Sequence, residues 1–258
     1  MNAVTTHARP SPDFEVKLQA SVQAIRQHLA DHPGPWTQAH SLGAEDVVVT
    51  QLLHLAGVLP AVSLFVLDTG KLHDQTLALV PALERHFGVS VRRYEPQAQA
   101  VMHFVRDHGE RAMYESVSLR KACCDLRKMQ PLAKALAGQT GWITGLRREQ
   151  SAARAEVDVF GMDGERFKLN PLADWTWGDV WHCIARFELP YNALHDAFYP
   201  SIGCAPCTRA ISLGENFRAG RWWWEDSTLK ECGLHVQDAS VTPLSGPAPH
   251  AFTTETTP

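Results

Sequence analysis

Trp36-Thr37-Gln38-Ala39-His40-Ser41-Leu42-Gly43-Ala44-Glu45-Asp46 decides how this chain folds. Its first four residues form a short strand candidate, and its end opens an apolar helix pattern that runs to residue 55. Gly43 stands at the junction. A strand turning straight into a helix leaves unpaired N–H groups and the positive end of the helix dipole at the turn. Both favour an anion, which a glycine allows to approach closely. No Gly-Lys-Ser/Thr follows, so this is not a Walker A loop, and similar turns occur without a ligand.

Outward from this stretch, short apolar runs alternate with helix patterns. Strand candidates lie at 36–39, 61–67, 89–94, 142–145 and 167–169. Helix candidates lie at 44–55, 72–87 and 123–136, closed by Gly57, Gly88 and Gly138. That alternation predicts right-handed crossovers and an α/β fold with a mainly parallel sheet. Pro131 predicts a break in the third helix. Before the first strand, Ser11-Pro12-Asp13 starts a helix through Val16, Ala20, Ala24 and Leu29. Later, Thr176 and Asp179 cap a helix through Val180, Ile184 and Phe187 that Pro190 limits. Residues 1–12 are expected to be disordered, 13–236 to form the folded domain, and 237–258, rich in proline without hydrophobic period, to be a disordered tail.

The 258 residues, 45% hydrophobic, can form a sizeable core without disulfides. A net charge of −4 and a pI near 6.3 argue against nucleic acid or an anionic membrane as partner. The sequence opens without a charged-then-apolar leader, and no run of apolar residues is long enough to span a bilayer, which predicts a cytoplasmic protein. In that reducing setting the six cysteines point to metal ligation or redox chemistry rather than disulfides.

Three loops and one set of cysteines carry the chemistry. Leu67-Asp68-Thr69-Gly70 ends the second strand candidate, on the side where open α/β sheets bind ligands. Gly145 through Ser151, followed by Arg154, supplies Arg147, Arg148 and Arg154 from another strand end, and arginine forks match phosphate and sulfate oxygens. The adjacent Cys123-Cys124 and the Cys204-Ala205-Pro206-Cys207 set form two close thiol pairs. Such pairs ligate zinc or iron-sulfur clusters, and buried free thiols or a regulatory dithiol are the alternatives. Neighbouring helical residues point roughly 100° apart, so one centre reached by both Cys123 and Cys124 must be bulky or the backbone distorted. Cys183 falls on the apolar side of its helix and reads as core. Arg218 and Arg221 offer another anion clamp beside three consecutive tryptophans. Cys232 stands alone between Lys230 and His235, a setting that favours a nucleophilic thiolate.

Together these segments resemble the assimilatory adenylyl-sulfate (APS) reductases within the APS/PAPS reductase family, from about Gln38 to His235. The carriers are Ser41-Leu42-Gly43-Ala44-Glu45-Asp46, Leu67 to Gly70, Cys123 to Lys128, Gly145 to Ser151, Gly203 to Arg209, and Lys230 to His235. The resemblance implies an adenine nucleotide alpha-hydrolase-like, Rossmann-like fold: a five-stranded parallel sheet flanked by helices, with a C-terminal redox segment. It implies a 4Fe-4S cluster on Cys123, Cys124, Cys204 and Cys207, and Cys232 as catalytic nucleophile. Substrate contacts carried over are Ser41, Gly43, Ala44, Glu45, Asp46, Asp68, Thr69, Gly70, Lys128, Arg147, Arg148, Arg154, Arg218, Arg221 and His235. Where the family loop usually reads Ser-Phe-Ser-Gly, this chain has His40-Ser41-Leu42-Gly43, so the side-chain contribution there departs from the pattern.

The implied reaction is thioredoxin-dependent reduction of APS to sulfite and AMP through an S-sulfocysteine, in sulfate assimilation and cysteine biosynthesis. The chain ends soon after Cys232, so thioredoxin or glutaredoxin is expected as a separate donor. A homo-oligomer stays open. Within the family the alternative is a PAPS or bifunctional reductase. Outside it, an ATP-using adenylating enzyme such as a tRNA thiolase would be expected to show an intact Ser-Gly-Gly-x-Asp-Ser-type loop and a basic face. A non-catalytic zinc module leaves Cys232 and the arginine loops unexplained.

Overall fold

The computed structural model describes residues 2–212 and 214–225. Its elements run α1 (Ala3–His7), α2 (Phe14–Asp31), β1 (Trp36–Ala39), α3 (Ala44–Leu55), β2 (Val62–Leu67), α4 (Asp74–Phe87), β3 (Val91–Tyr94) and α5 (Ala98–His108). They continue with α6 (Val117–Cys124), a π-helical turn (Asp125–Met129), α7 (Gln130–Leu136), β4 (Gly141–Ile143), β5 (Phe160–Asp163), β6 (Arg166–Leu169) and α8 (Trp177–Arg186).

The strand order is β3-β2-β1-β4-β6-β5. The chain winds outward from β1 to β3, then returns to the other side of β1, where Trp36 pairs with both Val62 and Gly141. The switch in direction therefore falls between β1 and β4, the place where such sheets open a crevice beyond their strand ends. The five expected strands are present and mutually parallel, and the sheet has a sixth, β5, antiparallel at the edge. Asp163 pairs with Arg166 across a turn in which Gly164 takes φ +62°, a conformation that suits glycine.

One sheet face is covered by α2, α3 and α8, whose apolar residues share the main core with Leu64, Val66, Ile143 and Leu169. Cys183 is in that core, where burial pushes its thiol up to about 12. The other face carries α7, with Leu132, Ala135 and Leu136 packed on Phe65 and Trp142. Helix α3 is buried from Ala44 through Leu53, so its N-terminus is rigidly placed at the switch point.

Two expectations are corrected. Residues 1–12 contain α1, capped by Asn2, whose side chain accepts from the Thr5 N–H at 2.8 Å. Ala3 is buried and donates its N–H to Asp196 at 2.7 Å, and His7 meets the rings of Trp177 and Trp181. Tertiary contacts thus order a stretch too short to declare itself. Pro131, expected to break a helix, sits in the first turn of α7. The π turn before it has already shifted the register, Gln130 N–H reaching the carbonyl of Asp125, so the ring is accommodated without a break. The expected tail at 237–258 lies outside the described residues.

Candidate active site

A cleft with about 170 Å³ of interior space opens beyond the ends of β1, β2 and β4. Its walls include His40, Ser41, Glu45 and Asp46 from the β1–α3 loop, Thr69 from the loop after β2, Gly145, Gln150 and Arg154 from beyond β4, and Lys128. Two carboxylates knit these loops together. Asp46 accepts the Ser41 N–H at 2.7 Å, the Ser41 hydroxyl, and the Gly145 N–H at 3.0 Å. A side chain at position 145 would put its Cβ 2.6 Å from the Asp46 oxygen, which is why glycine stands there. Glu45 accepts from Arg147 at 3.0 Å and from Gln150 at 3.0 Å. The N-terminus of α3 and the β4 loop are therefore tied to each other.

Burial raises the Asp46 carboxyl to about 6, although the Ser41 hydrogen bonds oppose the shift. The unfolded chain releases this proton near the ordinary carboxyl value while the folded protein holds it longer. The contribution of Asp46 to stability should accordingly be full below about 4 and fall as pH rises through about 6. Subtracting the denaturation profile of Asp46→Asn from that of the wild type should reveal the fall; a difference independent of pH across that window would contradict it.

A second pocket lies alongside, lined by Cys123, Cys124, Cys204 and Cys207 together with Lys71, Arg120, Arg127 and Lys128. Cys123 and Cys124 end α6 directly before the π turn, so the backbone distortion that adjacent thiols require is present. The Cys204–Cys207 turn is fastened to the sheet edge. Ala205 N–H donates to the Lys71 carbonyl at 2.7 Å, the Thr69 hydroxyl lies 3.3 Å from Cys204 Sγ, and Tyr114 donates to the Pro206 carbonyl at 2.6 Å. Arg127 in turn donates to the Thr69 carbonyl at 2.7 Å. Among the described residues none of the four is in a disulfide. Burial pushes the thiols of Cys123 and Cys207 up, the latter to about 11. Among the described residues no group of three or more His, Cys, Asp or Glu is arranged to hold a metal ion.

The expected site residues separate into groups. Ser41, Glu45, Asp46, Thr69, Lys128 and Arg154 line the cleft, while Gly43 and Ala44, the N-cap and first residue of α3, are not among its lining residues. Arg154 donates to Gln150 at 2.6 Å. Asp68 and Gly70 face a neighbouring groove, where Asp68 accepts the Gly70 N–H at 3.1 Å. Arg147 and Arg148 are outside the cleft walls. Arg147 is 1% exposed and donates to Glu45, to Glu149 at 2.8 Å and to the Trp175 carbonyl, so its fork is occupied by the protein. Arg148 binds Asp174 and, at 2.9 Å, the Val157 carbonyl. Arg221 backs the cleft wall, its guanidinium packed on Trp222 and against Gly203, while Arg218 lines neither cavity. Cys232 and His235 lie outside the described residues. Not anticipated were His40, Trp142, Thr144 and Gln150 in the cleft walls. His40 and Gln150 fall within the two quoted loops, which was the available signal.

The site thus combines a crevice at the switch point of a parallel sheet, arginine and lysine side chains in it, and four thiols alongside. The phosphoadenosine phosphosulfate reductase domain model matches residues 35–210, and the chain belongs to that family. An adenosine 5'-phosphosulfate reductase of Allochromatium vinosum is 50% identical over 213 residues, covering 81% of this chain and 82% of the relative. Another from Burkholderia cepacia is 44% identical over 236 residues, covering 91% and 92%. The crystal structure of a phosphoadenylyl-sulfate reductase from Candida auris, a phosphate complex, superposes with a TM-score of 0.61 at 23% identity over 76% of this chain and 97% of that one. It supports the fold alone.

Proposed function

We propose that this chain reduces adenylyl sulfate to sulfite and AMP in assimilatory sulfate reduction, with Cys232 as the nucleophile. The observation that carries this reading is Lys128, which lines both the cleft and the thiol pocket and so puts a cation where a nucleotide-bound sulfate would meet the thiols. The names of the two curated relatives support the same substrate.

The nucleotide lies in the crevice with its phosphate near the start of α3, and Lys128 and Arg154 face the sulfate. The Cys232 thiolate attacks sulfur, the S–O bond to the phosphate breaks with its electron pair going to AMP, and an S-sulfonate remains on Cys232. A thiolate of a separate dithiol protein, thioredoxin or glutaredoxin, then attacks Cys232 Sγ and expels sulfite. The second thiol of the donor resolves the mixed disulfide, so the donor leaves oxidised and Cys232 is again a thiolate. Lys128 and Arg154 offset the negative charge that gathers on the leaving phosphate.

The residues present fit a 4Fe-4S cluster. Four thiols share one pocket, and Arg127 and Lys128 beside them would offset part of the negative charge that four thiolates bring. Cys123, Cys124, Cys204 and Cys207 would hold it. When bound it would supply a fixed structural and electrostatic element beside Lys128, with no electron transfer required by the steps above. No described helix is long and apolar enough to cross a membrane, and a cytoplasmic setting suits a thioredoxin-type donor.

The reading is tested by comparing kcat/KM for APS and for its 3'-phosphorylated form, PAPS, with thioredoxin as reductant. APS should be preferred by at least about 100-fold, as expected when discrimination turns on one charged group. Equal values would make the enzyme bifunctional, and preference for PAPS would overturn the assignment.

A further inference from the structure

Leu42 is a non-glycine residue in the left-handed region, φ 65°, and is fully buried. L-residues avoid this conformation, and where it persists at a binding loop the surroundings hold it there for a reason. Two contacts hold it here. The Leu42 N–H donates to His40 Nδ1 at 2.9 Å, and the Leu42 carbonyl accepts from Asn192 at 3.3 Å. His40 is itself fixed, its N–H bonded to the Phe65 carbonyl at 2.8 Å and its side chain 3% exposed in the cleft wall. Because Nδ1 accepts, the ring is neutral with its proton on Nε2. Burial, which lowers the imidazole to about 3, agrees with that state. Nε2 has no hydrogen-bond partner among the described residues.

We propose that His40 is a positioning residue for nucleotide binding: its Nδ1 locks Leu42 in the left-handed state and thereby sets where Gly43 starts α3 under the cleft. The His40–Leu42 bond is what this chain uses to fix the turn with an aliphatic side chain at position 42. The inference rests on reading the cleft as the adenylate site.

It is tested by titrating AMP, by calorimetry, into wild type, His40→Asn, His40→Leu and His40→Ala. Asparagine keeps a short-range acceptor for the Leu42 N–H; leucine and alanine do not. The Kd for AMP should weaken about tenfold in the leucine variant, the worth of one backbone hydrogen bond, and stay within about threefold in the asparagine variant. In steady state, KM should rise in the leucine variant with a smaller change in kcat. The alanine variant decides the matter if leucine does not fold. Wild-type affinity in the acceptor-less variants, or equal weakening in all three, would overturn the proposal. Failure of the wild type to bind AMP would instead sink the adenylate reading, and this inference with it.

Discussion

Cys232→Ser should lower APS reduction on the order of 10³-fold or more while leaving AMP affinity and thermal stability near wild type. In the sequence, Cys232 is the one cysteine of the six that stands outside both close pairs and outside the helix pattern that carries Cys183. A serine hydroxyl is scarcely ionised at neutral pH and forms no S-sulfonate, so both the attack on sulfur and the later release of sulfite are blocked. Binding should survive because the described walls of the cleft come mostly from β1, β2, β4 and their loops. Rapid turnover by the serine variant would remove Cys232 from the mechanism.

Cys207→Ser and Cys123→Ser should both empty the thiol pocket of iron and acid-labile sulfide and lower turnover by about 100-fold or more. Cys207 is 7% exposed and Cys123 8%, so a hydroxyl put in their place has little water to bind and cannot replace a thiolate ligand. The loss should spread to the cleft. Cys204 touches Thr69 and Lys128 faces both cavities, so a disturbed thiol pocket reaches the cleft wall, while Arg120 and Lys71 keep their pairs with Glu225 and Glu110. Iron and sulfide analysis of anaerobically purified protein, with the near-400 nm absorbance (an order-of-magnitude spectral expectation), checks this. Full iron and sulfide in either variant would remove that cysteine from the ligand set.

Much of this architecture was legible because periodicity and turn residues are local. The alternation from Trp36 to Leu169 announced a parallel sheet, and Gly43 and Thr69 marked the strand ends that form the cleft. The unread parts depend on distant partners. Strand β5 contains Gly161 and is only partly buried, so it shows no strong apolar run and exists through its pairing with β6. Helix α5 buries no residue fully, which weakens its core signal. The arginine loop shows what the fold adds to the sequence. Arg147 and Arg148 have the spacing of an anion clamp, yet Glu45 and Trp175 claim the first and Asp174 the second. Sequence shows that a fork exists; only the fold shows which oxygens it meets. The same holds for His40, whose neighbour Leu42 gives no hint of its left-handed backbone.

The most direct measurement is to incubate the wild-type protein anaerobically with sulfur-labelled APS and no reductant, then quantify AMP and map the label by mass spectrometry. One sulfonate on Cys232 with one equivalent of AMP released is the expected result, and adding thioredoxin should discharge the label as sulfite. Label on Cys123, Cys124, Cys204 or Cys207, or AMP release with no labelled cysteine, would contradict a transfer through Cys232.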